Sequence, residues 1–190
     1  MRIDDALFYA VLDDSVAAGD LETWCRTAAA AGVDIIEAGD AGGFECIRDI
    51  CRREGILAVA PLDSTGGAAL ACEAVIVNAD EVSVGLARGM VAAGTLAGVR
   101  TADLNELILA VETGCDFAVY SGGGNAHEAF AAVRRPGVPL FAGGAKSLEE
   151  VGATISAGVF RVAVGAAVLG DISVVRENAA KISRMLGREI

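Results

Sequence analysis

Gly158-Val159-Phe160-Arg161-Val162-Ala163-Val164-Gly165-Ala166-Ala167-Val168-Leu169-Gly170 is a glycine, a six-residue apolar run broken by one arginine, and a loop of small residues, ahead of a helical pattern that begins near Asp171. The run predicts a strand covered on both faces, and the glycine before it supplies the left-handed residue that ends a helix. The same unit recurs back to the N-terminus. Strands are predicted to start near Leu7, Val33, Ile56, Ala74, Thr95, Asp116, Val138 and Val159, between 18 and 26 residues apart, so each unit has room for one strand and one helix. Gly32, Gly55, Gly94, Gly114, Gly137 and Gly158 punctuate the junctions. Eight such units predict a closed (β/α)8 TIM barrel, an α/β fold in which chemistry belongs to the loops after the C-terminal strand ends. A doubly wound sheet shares the alternating grammar but needs fewer units.

Helix signals agree with the strand spacing. Asp20 is placed to cap the first helix, and Ser147 and Asn125 are each followed three residues later by Glu, at Glu150 and Glu128. Phe44, Ile47, Ile50 and Cys51 form one helical stripe, and Leu104, Leu107, Ile108 and Val111 another.

At 190 residues the chain is read as a single barrel domain, 1–190, with short loops; barrels of this kind more commonly run to about 250 residues. The hydrophobic content of 54% and mean hydropathy of +0.51 fit buried parallel strands, and no run is long enough to span a membrane. The opening Met1-Arg2-Ile3-Asp4-Asp5 places acids where a signal peptide has apolar residues, which predicts a cytoplasmic protein. The cysteines, Cys25, Cys46, Cys51, Cys72 and Cys115, form no C-x-x-C pair and read as small buried residues of a reducing compartment. A net charge of −11 argues against a nucleic-acid partner.

The loops after the last two strands, Gly143-Gly144-Ala145-Lys146 and Gly165-Ala166-Ala167, are rich in small residues that let backbone N–H groups approach an anion. Gly143, Gly144, Ala145, Gly165, Ala166 and Ala167 are therefore the expected phosphate cup, with a small phosphorylated molecule as the partner. Ser121-Gly122-Gly123-Gly124-Asn125 is a second glycine-rich loop, readable as an anion nest or as a flexible joint. The other strand ends carry Asp13, Asp14, Glu37, Asp40, Asp63, Ser64, Asn78, Asp80, Glu81 and Arg100. So dense a set of acids repels a bare phosphate unless Mg2+ bridges them, and Asp63 with Asp80 are the expected metal ligands. The alternative is a ring of solvated loop acids. Lys146 and Arg100 are placed to meet an anion, and with Asp63 they are the candidate catalytic residues. His127, the only histidine, lies in a helix rather than at a strand end.

On Leu7-Phe8-Tyr9-Ala10-Val11-Leu12-Asp13, Ala30-Ala31-Gly32-Val33-Asp34-Ile35-Ile36, Gly114-Cys115-Asp116, Gly143-Gly144-Ala145 and the stretch from Gly158 to Val168, the chain resembles the thiamine phosphate synthase family, which includes a thiazole tautomerase branch. The resemblance covers almost the whole length. It implies a compact barrel binding a phosphorylated thiamine precursor or product at its mouth, with Mg2+ and as a homo-oligomer. The chain departs from that family where substrate is gripped. The family's Gln-Leu-Arg-x-Lys after strand two reads Ile36-Glu37-Ala38-Gly39-Asp40 here, and its Asn-Asp-Arg after strand three reads Leu62-Asp63-Ser64. His-Leu-Gly-Gln near strand four is replaced by Ile76-Val77-Asn78-Ala79, and His127 lies several residues beyond the place of the tautomerase histidine. Each lost charge-assisted contact to phosphate is worth roughly 1.5–3 kcal/mol. The expectation is a diverged barrel that keeps a phosphate cup and has lost the parental synthase reaction. Two further readings are a magnesium-assisted synthase, lyase or isomerase acting on a thiazole phosphate or sugar phosphate, and a non-catalytic pseudoenzyme with a regulatory or structural role.

Overall fold

In the computed structural model, eight parallel strands close on themselves in sequence order, each pairing with the next and the last pairing with the first. The structure describes residues 2–13, 16–39, 41–62, 72–79, 83–122, 125–133 and 137–189. The strands are β1 Phe8–Val11, β2 Ile35–Glu37, β3 Leu57–Pro61, β4 Ala74–Asn78, β5 Leu96–Thr101, β6 Phe117–Tyr120, β7 Leu140–Ala142 and β8 Val162–Gly165. Around them lie α1 Leu21–Ala30, α2 Ala41–Glu54, α3 Val84–Met90, α4 Leu104–Glu112, α5 Ala126–Ala132, α6 Leu148–Ser156, the short α7 Ala166–Leu169, and α8 Val175–Met185. Residues 63–71, between β3 and β4, are outside the described set.

The uninterrupted apolar runs separate into two cores because successive strand residues point to opposite faces. Tyr9, Ile35, Leu57, Val59, Ile76, Phe117, Val119, Phe141 and Ala163 fill the lumen. Phe8, Ala10, Ile36, Ala58, Val75, Val77 and Val164 pack outward with helix residues such as Trp24, Phe44, Ile47 and Leu107. Within the lumen the Tyr9 ring lies 5.5 Å from Phe141 and 6.3 Å from Phe117 between centroids. Gly98 on β5 makes that stacking possible, since a Cβ there would stand 2.2 Å from the Phe117 ring.

At the N-terminal end, the carboxylates of buried Asp34 and half-buried Asp116 tie strand starts together. Asp34 accepts from the amides of Leu7 at 2.8 Å and Phe8 at 3.0 Å, and Arg188, beyond α8, bonds both its oxygens. Asp116 repeats the device four strands later, accepting from the Ala97 amide at 2.7 Å and from Arg88 at 2.9 Å. The six junction glycines all have positive φ, from +72° at Gly55 to +99° at Gly137.

Several local expectations are corrected. β8 begins at Val162 and not at Val159, and β7 at Leu140 and not at Val138. After α6 the chain must climb back to the sheet, so Val159 is buried, Phe160 is 66% exposed, and Arg161 donates to the carbonyls of Ala6 and Asp4. Asp20 stands at the N-cap of α1 but makes no side-chain cap bond, because the preceding 3-10 turn holds it in a helical conformation. Ser147 does cap α6, while Glu150 reaches back to the Lys146 amide at 2.7 Å. Asn125 accepts from the amide of His127. The buried face of α4 is Leu107, Ala110 and Val111, with Leu104 37% exposed. Cys25, Cys51 and Cys115 are buried as expected, Cys72 is half-buried, and Cys46 is exposed on α2.

Candidate functional site

A cavity of about 370 Å3 opens at the C-terminal end of the barrel, lined by Val11, Leu12, Glu37, Gly39, Arg100, Val119, Ser121, Gly143, Gly144, Ala145, Ala163 and Gly165. Its position follows from strand parity. Tyr9 and Val11, Ile35 and Glu37, Phe117 and Val119 occupy inward places two residues apart, so inward residues near the ends of β1, β2, β5, β6 and β8 form the cavity wall.

Four polar side chains meet there. Arg100 on β5 donates to Glu37 on β2, across the lumen, and with its other amino group to Asn78 on the neighbouring β4 at 3.1 Å. Tyr9 donates from below to the second Glu37 oxygen at 2.8 Å. Glu37 is 3% exposed and Tyr9 is fully buried, while the Arg100 side chain keeps 30% exposure. Burial, reinforced by the negative charge of Glu37, pushes the Tyr9 phenol well above its ordinary value of 10.0. For Arg100 burial acts against the charge, and Glu37 outweighs it by charge and hydrogen bonding, so the guanidinium pKa is raised. The phenol therefore stays neutral and the guanidinium charged across the working pH range.

The glycine-rich lip lies on the β7 and β8 side. The Gly143 amide is already given to the Tyr120 carbonyl at 2.8 Å, the Lys146 amide to Glu150, and the Ala167 amide to the Asp13 carboxylate at 3.2 Å. Among the described residues, the amides of Gly144 and Ala145 meet no acceptor, whereas the Ala166 amide follows the Val11–Gly165 pair and continues the β1–β8 ladder. Gly144 has φ +82°, a conformation that a side chain rarely adopts.

Of the candidate residues, Arg100, Gly143, Gly144, Ala145 and Gly165 come together around this cavity. Ala166 is buried at the start of α7, and Ala167 is exposed beside Asp13. Lys146 is exposed and does not line the cavity. His127 lies outside it too, and a Cβ on Gly158 would stand 3.4 Å from its Nδ1. Asp63 and Asp80, together with Asp14, Asp40, Ser64, Glu81, Gly123 and Gly124, lie outside the described residues. Among the described residues no group of three or more His, Cys, Asp or Glu is arranged to hold a metal ion.

Glu37 is not one of a set of solvated loop acids, since both its oxygens are engaged inside the barrel. Tyr9, read from the sequence only as part of an apolar strand, is its second partner. The signal for both was parity, with Glu37 two residues after the inward Ile35 and Tyr9 two before Val11.

No protein-family profile matches the sequence, and no curated protein matches it. Solved structures do. Thiamine phosphate pyrophosphorylase from Pyrococcus furiosus superposes with a TM-score of 0.79 at 17% identity, over 97% of each chain. These likenesses establish the fold, a (β/α)8 barrel. Orotidine 5'-phosphate decarboxylase from Pyrococcus horikoshii OT3 follows with a TM-score of 0.69 at 14% identity, covering 95% of this chain and 100% of that one. (S)-3-O-geranylgeranylglyceryl phosphate synthase from Thermoplasma acidophilum, solved with its substrate sn-glycerol-1-phosphate, gives 0.66 at 14% identity, over 97% and 94% of the two chains. Among the described residues no helix is long and apolar enough to cross a membrane.

Proposed function

We propose that this chain binds a small phosphorylated ligand at the C-terminal mouth of its barrel and does not carry out thiamine phosphate synthesis. The observation that carries the reading is the pairing of a cavity of about 370 Å3 with a glycine-lined lip on which the amides of Gly144 and Ala145 have no protein acceptor among the described residues. Amides held on a rigid turn offer a phosphate oxygen fixed partial positive charge, and the small side chains let it come close. The reading is supported by the names of the barrels above, each of which includes a phosphate compound. Loss of the synthase reaction rests on the sequence, where Glu37 stands in place of the cationic grip that a pyrophosphate substrate needs, and on the commitment of Arg100 to that glutamate.

Differential scanning fluorimetry with inorganic phosphate, glycerol 3-phosphate, thiazole phosphate and thiamine phosphate tests the reading. A ligand at 100 times its Kd adds about 2.7 kcal/mol, a rise in Tm of roughly 5–10 °C for a chain of this size. Ala145→Asp, which puts a carboxylate at the lip without demanding an unusual backbone, is expected to remove the shift. No shift with any of the four compounds, or a shift unchanged in Ala145→Asp, contradicts the assignment. Formation of thiamine phosphate from pyrimidine pyrophosphate and thiazole phosphate contradicts the claim of lost synthase activity.

A further inference from the structure

We infer that Arg100 selects the ligand by receiving a carbonyl oxygen of its carbon chain, so that the site takes a phosphorylated ketone or aldehyde of sugar size. The inference rests on the phosphate reading above and specifies the other end of the same molecule.

An ion pair inside a barrel is no better for stability than well-packed apolar residues of the same volume. Beneath the mouth the lumen core is apolar and aromatic. The Glu37 and Arg100 pair breaks that rule at the level where the cavity begins. The guanidinium is also fixed in orientation. One amino group is tied to Glu37 and the other to Asn78 at 3.1 Å, and Glu37 is itself held by Tyr9 at 2.8 Å. A guanidinium has five N–H donors in one plane, so donors remain after those two bonds. The cavity is where the exposed 30% of the side chain can be reached.

Charge decides what those donors accept. Glu37 neutralises Arg100, so a second full anion would gain little from the guanidinium and would be repelled by the neighbouring carboxylate. A neutral acceptor with a strong dipole has no such conflict, and a carbonyl oxygen is the best match. A hydroxyl is weaker, because its own proton would need an acceptor and both Glu37 oxygens are engaged. Val11, Leu12, Val119 and Ala163 give the cavity an apolar stretch of wall, beside the polar Ser121, which suits a short carbon chain joining carbonyl to phosphate.

Isothermal titration calorimetry on the intact chain with three probes of similar size tests this. They are dihydroxyacetone phosphate, which carries a ketone, glycerol 3-phosphate, which carries an alcohol in its place, and phosphoglycolate, which carries a carboxylate. The ketone is expected to bind about tenfold more tightly than the alcohol, and the carboxylate no more tightly than the alcohol. In Glu37→Gln/Arg100→Met, which removes both charges together, the ratio of ketone to alcohol affinity is expected to fall to about one. Should that variant not fold, Arg100→Lys keeps the ion pair but loses the planar donors, and the ratio is expected to fall there too. Equal binding of ketone and alcohol by the native chain, tighter binding of phosphoglycolate, or a ratio that survives both variants overturns the inference while leaving the phosphate reading standing. No binding of any probe or of inorganic phosphate overturns both.

Discussion

Removing Arg100 alone is expected to destabilise the barrel more than removing Arg100 and the charge of Glu37 together. Glu37 is 3% exposed, and in Arg100→Met its carboxylate keeps only the Tyr9 hydroxyl at 2.8 Å. Breaking a buried pair by deleting one partner costs 3–5 kcal/mol, and the 30% exposure of Arg100 places this case near the lower end, at about 3 kcal/mol. In Glu37→Gln/Arg100→Met the stranded charge is gone, and the remaining cost is a lost hydrogen bond or two, about 1 kcal/mol. Glu37→Gln alone leaves a guanidinium that still reaches water through the cavity, for about 1–2 kcal/mol. The double variant should therefore be more stable than Arg100→Met by about 2 kcal/mol, which is roughly 4–8 °C in Tm for a chain of this length. Urea unfolding followed by circular dichroism, with all four forms compared at equal m-value, measures the cycle. A double variant that loses the sum of the single losses would show that the two residues are independent. An Arg100→Met variant as stable as the native chain would show that the pair is not the buried contact described.

Alkaline pH should destabilise the fold through its buried thiols. Burial pushes Cys25 and Cys51 from 9.0 up to about 12, so their contribution is complete below pH 9 and is lost as the pH rises toward 12, because the unfolded chain ionises first. Each thiol removes about 1.4 kcal/mol of stability per pH unit in that window; Cys25→Ala/Cys51→Ala should flatten the fall in urea midpoint between pH 8 and 10.5, and an unchanged slope counts against the burial argument. Tyr9, also raised, contributes with the same sign. Gly98→Ala should cost about 1–3 kcal/mol, since the new Cβ meets the Phe117 ring at 2.2 Å. Gly89→Ala in α3 meets nothing within 4 Å and should gain about 0.5–1 kcal/mol; thermal melts of the two variants moving the same way would refute the packing account. Arg188→Ala strips Asp34 of its two-oxygen partner at the closed end of the barrel and should lower stability by about 3 kcal/mol in the same melts.

The barrel was readable from the chain because its determinants are local. A glycine at each helix end and an apolar run after it state where a strand starts, and all six junction glycines adopt the expected positive φ. Boundaries failed where a residue's partner lies far away. Val159 and Phe160 look like strand, yet the climb from α6 delays pairing to Phe8 and Val162. Asp20 is a good capping residue type set back by a preceding turn that composition does not announce. The mouth was legible in its location and in Arg100, and illegible in its pairing. Glu37 and Arg100 are 63 residues apart in sequence, and only barrel closure, with inward parity on both β2 and β5, brings the acid to the cation. Read without that closure, Glu37 looks like one more solvated acid.

Resonance assignment followed by titration with inorganic phosphate, read in amide 1H–15N correlation spectra, tests the central claim most directly. The account predicts saturable downfield shifts of the Gly144 and Ala145 amides, with the Gly143 amide, already bonded to the Tyr120 carbonyl, moving least among the lip residues. Saturable shifts elsewhere on the barrel with those two amides unmoved, or no shifts at all, would contradict it.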